Sequence, residues 1–213
     1  VRIDDLRRQI GAATDSVLRA RLRTELAGLL RAGENLPGAL AELRRAADEA
    51  PGLGVVRLAV LSAARALPAL DRAAFLAEIG HIARTEIPAW AAAAAEALRE
   101  AGRPVQSARA WLAVAGDNRF PAHQRRAAAR HAIKIADGVL PAEHLSALQL
   151  RAAESTGRTR LGLLREAMVL AGASGVNQQA RLAIGAAWIE AGGAPARAEP
   201  LLESAEKAGG PIA

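Results

Sequence analysis

Cysteine is absent from the 213 residues, so the chain holds no disulfide and no thiolate metal site. That leaves the compartment open between cytoplasm and periplasm. Tyrosine is absent too, and two Phe and three Trp are the only aromatic residues. With 51% of residues hydrophobic but 2% aromatic, the core must be built mostly from Ala and Leu. Such a core suits helices packed at short range rather than sheets rich in Val, Ile and Tyr. No apolar run approaches the roughly 18 residues needed to span a bilayer, so no membrane insertion is expected. Lysine occurs only at Lys134 and Lys207, and every other basic side chain is Arg. Arg, Ala and Gly in this excess point to a GC-rich, bacterial genome, and codon usage accounts for much of the net charge of +6. The chain opens on Val1 without a secretory signal. It is expected to be a piece of a longer protein, so the missing signal says nothing about location.

The usual arrangements for catalysis are missing as well. His81, His123, His131 and His144 form no HExxH motif and no cluster. His123 and His131 lie two helical turns apart, too far to share a metal unaided. Gly52-Leu53-Gly54 precedes a helical stretch, but no strand comes before it and the third glycine of a dinucleotide fingerprint is lacking. The Gly172-Ala173-Ser174-Gly175 run is not the GxSxG of a nucleophile elbow. The carboxylate pairs Asp4–Asp5 and Asp48–Glu49 fall near helix ends, where solvation or the helix dipole accounts for them. No catalytic residue, cofactor site or metal ligand is expected, and the chain does not read as an enzyme.

What is present is helical periodicity. In residues 26–51, one helix, a tight turn and a second helix follow one another. Leu22, Leu26, Leu29 and Leu30 make one apolar stripe. Gly33 stands where a helix end favours a left-handed residue, and Pro37 fits a first turn. Ala39, Leu43 and Ala46 line the second helix, and Pro51 ends it. On Ala27, Ala39, Leu43, Ala46 and Pro51 this unit resembles a tetratricopeptide repeat, a helix pair of about 34 residues. It departs from the family at Arg23, where a bulky aromatic is usual, and the turn is long by one residue. Residues 86–115 resemble the family again, with Trp90 at the aromatic position, Ala93, Ala94 and Ala97 after it, and Ala108, Leu112 and Ala115 in the second helix.

Taken in order, residues 1–13 form a short helix with Ile3, Leu6 and Ile10 on one face, and Thr14 or Asp15 caps the next. Further helices are expected over 36–49, then over 55–66 and 71–84 as a third pair split by Pro68 with Asp71 as N-cap, then over a stretch capped by Thr85, 121–136, 141–154, 158–170 and 176–190. Alternate helices begin near 15, 53, 87, 121 and 158, a recurrence of 34 to 38 residues. Gly192, Ala198, Leu202 and Ala205 repeat the turn-and-helix pattern out of phase with that count. Because Pro200 would then lie inside a helix, the last helix is expected to begin near Glu199.

The resemblance implies an all-α fold, a single domain over 1–213, built as a right-handed superhelical solenoid of about five to six antiparallel helix pairs. Each pair would bury its apolar face against its neighbours. It also implies a non-catalytic scaffold that holds a peptide or partner protein in a concave groove lined by the first helix of each pair.

Charge is uneven. Between Arg103 and Lys134 seven basic residues stand against one acidic residue, Asp117. On the helix over 121–136, His123, Arg126, Arg130 and Lys134 make one stripe, and Ala129, Ala132, Ile133 and Ala136 the opposite face. The stripe suits an ordinary solvated face. The functional reading, placed second to that, is a cationic strip for an acidic peptide or protein, with Arg119 beside it. Nucleic acid is the first rival partner, disfavoured by the shortage of aromatic stacking platforms. A helical accessory domain of a larger enzyme is the second.

Overall fold

The computed structural model describes residues 2–82, 88–173 and 178–209, and the expected cap at Thr85 lies outside them. Among the described residues there are twelve helices and no strand, so the chain is all-α. It divides into two compact units, residues 1–102 and 103–213.

The first unit holds α1 (Arg2–Ala12), α2 (Ser16–Ala32), α3 (Leu36–Glu49), α4 (Gly54–Ala64), α5 (Ala69–Ile82) and α6 (Pro88–Glu100). Asp15 is the cap of α2, its Oδ1 accepting the Leu18 N–H at 2.6 Å. Ala27 and Leu30 on α2, with Ala39, Leu43 and Ala46 on α3, are all buried, so the two helices close on small residues as their spacing implies. Their turn differs from expectation. Gly33 is the C-cap at φ −90°, and the left-handed residue is Glu34 at φ 59°. The Glu34 N–H donates to Arg31 O at 3.0 Å and the Asn35 N–H to Leu30 O at 2.8 Å, the two bonds of a Schellman turn. Asn35 also caps α3 by accepting the Gly38 N–H at 2.9 Å. That fixed cap, with Pro37 behind it, places the left-handed position on the residue before Asn35. Glu34→Gly should therefore stabilise the protein by about 0.5–1 kcal/mol, the relief of left-handed strain less the added chain entropy. A urea midpoint that falls in this variant would show that the Glu34 side chain outweighs its backbone.

The pairing expected for α4 with α5 is not what forms. α5 packs chiefly on α6, and α4 touches α5 lightly. Gly80 faces Trp90 at this contact, where a Cβ would stand 3.6 Å from the Trp90 Cβ, an ordinary van der Waals distance. α5 begins at Ala69, directly after Pro68, so Asp71 sits in its first turn rather than at its cap. Leu26, Leu43, Val56, Val60, Leu76, Ile79 and Trp90 share one core.

The second unit holds α7 (Pro104–Gly116), α8 (Ala122–Ala136), α9 (Pro141–Ala153), α10 (Gly157–Ala173), α11 (Gln178–Glu190) and α12 (Pro195–Gly209). α8 packs between α7 and α9, α10 follows on α9, and α12 lies on α11. Gly102, Gly138 and Gly192 each take a positive φ two or three residues before a helix that opens on proline, at Pro104, Pro141 and Pro195. These are positions where glycine alone avoids a Cβ clash and proline loses no hydrogen bond.

The last helix corrects the sequence reading. It begins at Pro195, not near Glu199, and Pro200 lies inside it. Pro200 is on the exposed side, where the carbonyl freed by its missing N–H turns to water, while Ala198, Leu201 and Ala205 are buried. Burial of that face outweighs the lost bond, and the out-of-phase pattern at Gly192, Ala198 and Ala205 is the one that folds. Trp188 anchors this end, its Nε1 donating to Ala194 O at 2.9 Å.

Candidate functional site

The cationic stripe lies on α8, whose Ala128, Ala129, Ala132 and Ala136 are buried. Burial of that alanine face against α7 and α9 forces the opposite face outward. His123, Arg130 and Lys134 are exposed, and Arg126 is half-buried. His131 stacks on Trp111 of α7 with ring centroids 4.4 Å apart and planes 12° from parallel. The stack pins the rotation of α8 about its axis and so sets the direction of its neighbour Arg130.

The basic surplus is smaller in space than along the chain. Acidic residues beyond position 134 return to neutralise part of it. Glu143 of α9 meets Arg109 at 3.0 Å, and Glu154 meets Arg125 at 2.5 Å. Arg119 lies in the turn between α7 and α8 and folds onto Asp117, Nε to Oδ1 at 3.0 Å and Nη2 to Oδ2 at 2.5 Å. The Arg119 guanidinium, followed by the Arg119 backbone N–H, holds the Asp117 carboxyl down to about 2. Arg119 is thus set apart from the stripe by a partner of its own. Among the described residues, no carboxylate comes within ion-pair distance of Arg126, Arg130 or Lys134. Residues 103–213 carry 14 basic and 9 acidic side chains, against 14 and 13 in residues 1–102.

Arg126 and Arg130 converge on a cleft of about 390 Å³, lined also by Arg151, Glu154, Ser155, Thr156 and Thr159. His123 and Lys134 stand outside its lining. Arg126 Nη1 reaches Glu154 O at 3.4 Å, and the Ser155 hydroxyl donates to Arg151 O at 2.8 Å. Sequence reading did not single out Arg151, Thr156 or Thr159. Their signal was a run of hydroxyl residues opening a helix four residues after an arginine, which local spacing alone reads as a chain break.

Among the described residues, no three His, Asp or Glu side chains gather closely enough to hold a metal. The buried His144 stands 3.4 Å from Glu166 Oε1 and 3.9 Å from Asp137 Oδ1. A second cavity of about 460 Å³ opens between α10, α11 and α12, lined by Met168, Val169 and Leu201 with Arg165, Arg181 and Arg197 around them. Among the described residues no helix is long and apolar enough to cross a membrane. Comparison with protein-family models, curated proteins and solved structures finds no match.

Proposed function

We propose that the chain is a non-catalytic interaction scaffold of tetratricopeptide-like helix pairs, stacked as a right-handed superhelix, and that α8 docks an acidic peptide or protein segment. The observation that carries this reading is the row of Arg126, Arg130 and Lys134 on α8, which has no carboxylate partner among the described residues. Nearby Arg109, Arg119 and Arg125 each have one. The packing of α2 on α3, α5 on α6, α7 on α8 and α11 on α12 supports a reading in helix pairs. Arginine suits the partner chemistry, because its planar fork pairs with carboxylates through two hydrogen bonds. His123 extends the row at its N-terminal end, and Arg119, already held by Asp117, contributes least.

The test is fluorescence anisotropy with labelled hexaglutamate. Replacing Arg126, Arg130 and Lys134 together with Ala should weaken binding about tenfold and leave the urea midpoint nearly unchanged. Binding to the parent protein should also fall as salt rises, since exposed charges are screened beyond about 8 Å at physiological ionic strength. Equal binding by the triple variant would return α8 to an ordinary solvated face. Tighter binding to a single-stranded oligonucleotide than to hexaglutamate would favour the nucleic-acid reading instead.

A further inference from the structure

We infer that the cleft among α8, α9 and the start of α10 is a receptor site for a phosphate-class dianion, a phosphate monoester carried on the docked polypeptide. The carrier rests on the docking reading above, and the chemistry of the cleft stands on its own. Three guanidinium groups, Arg126, Arg130 and Arg151, line one cavity of about 390 Å³. None of them meets a carboxylate among the described residues. The one acidic lining residue, Glu154, is engaged at 2.5 Å by Arg125, which is not part of the lining. The cavity is therefore a converging set of positive charges whose neutralising partner is not supplied by this chain.

The three guanidiniums outnumber the single charge of a carboxylate, which one bidentate arginine already balances. A phosphate monoester offers three oxygens and close to two negative charges, which match three guanidiniums drawn from two helices. The hydroxyls of Thr156 and Thr159 line the same cavity and bond to no protein group among the described residues. The backbone N–H groups of Gly157, Arg158 and Thr159, which open α10, also find no protein acceptor there. The two threonine hydroxyls add donors to the cleft. No aromatic side chain lines the cleft, so a stacked nucleotide finds no platform.

The experiment uses the full chain and three probes at constant ionic strength. Inorganic phosphate, with acetate as its control, is titrated while the amide resonances of residues 156–159 are followed by NMR. A labelled peptide with one phosphoserine is compared with its unphosphorylated twin by anisotropy, and hexaglutamate reads the α8 row. Arg151→Gln alters the cleft but not the row, and Lys134→Ala alters the row but not the cleft. Saturable phosphate shifts absent with acetate, and a preference for the phosphopeptide of about tenfold or more, are expected. Arg151→Gln should remove that preference, Arg151→Lys should restore only part of it because the planar fork is lost, and Lys134→Ala should leave phosphate binding intact. Equal unsaturated shifts with phosphate and acetate would overturn the proposal. So would unchanged phosphate affinity in Arg151→Gln, or a short oligothymidylate that binds more tightly than the phosphopeptide. Hexaglutamate binding without phosphate binding sinks the cleft and spares the row. Phosphate binding without hexaglutamate binding supports the cleft and removes the row.

Discussion

Trp90→Ala should lower the unfolding free energy by about 3–5 kcal/mol, the range for deleting a fully buried large aromatic side chain. Trp90 is 1% exposed and shares a core with Phe75, Leu76 and Ile79. Alanine would leave a cavity between α5 and α6, which already meet at Gly80 and the Trp90 Cβ. One effect runs the other way. Trp90 Nε1 is buried without a hydrogen-bond partner, and an unmet donor of that kind costs about 1–3 kcal/mol. Trp90→Phe removes the same donor while keeping most of the apolar surface, so its loss should be much smaller, about 1 kcal/mol. The two variants together separate packing from polarity. Urea unfolding followed by far-UV circular dichroism is the measurement, since Trp111 and Trp188 both lie in residues 103–213 and their fluorescence reports elsewhere. A loss below about 1 kcal/mol for Trp90→Ala would mean that the ring does not carry this core.

Much of the fold was legible because caps, prolines and apolar spacing act locally. Asp15 marks the start of α2 through a hydrogen bond formed within three residues, Pro37 marks that of α3 through its fixed φ, and Pro51 follows the end of α3 at Glu49. The partnership of α5 with α6 was not legible, because it rests on burial of Trp90 with Phe75, Leu76 and Ile79, contacts between separate helices. Pro200 misled for a related reason. Its local cost is real, and only the burial of Ala198, Leu201 and Ala205 overrides it. The α8 stripe was readable from its spacing of four residues. Its true charge was not, since Glu143 and Glu154 come back from the next helix to pair with Arg109 and Arg125. Arg151 belongs to the cleft by the same kind of return.

Arg23 carries the second large prediction. It bridges two carboxylates of α3. Its Nη1 meets Glu42 Oε2 at 2.8 Å and its Nε meets Glu49 Oε1 at 3.1 Å. Burial works against the charged guanidinium, but hydrogen bonds to Glu42 and Glu49 outweigh it and raise its pKa. All three side chains are at most 17% exposed, so solvent screens the network only partly. Removing one partner of a fully buried pair costs about 3–5 kcal/mol, chiefly because the remaining charge is stranded. Here the stranding is incomplete. Glu42 keeps Arg45 at 2.7 Å, and Glu49 keeps Arg19 at 3.3 Å. Arg23→Ala should therefore cost about 2–3 kcal/mol. Arg23→Lys should recover only part of that loss, since an ammonium cannot fork between carboxylates two turns apart on α3. Glu49 has a further weakness, because both of its arginines bond Oε1 while Oε2 is buried without a partner. Once Arg23 is gone, removing Glu49 as well relieves that stranded oxygen. The double variant Arg23→Ala, Glu49→Ala should lose less than the sum of the two single losses, by about 1 kcal/mol or more. Strict additivity in the urea midpoints would show that the bridge contributes nothing beyond the packing of its carbon atoms.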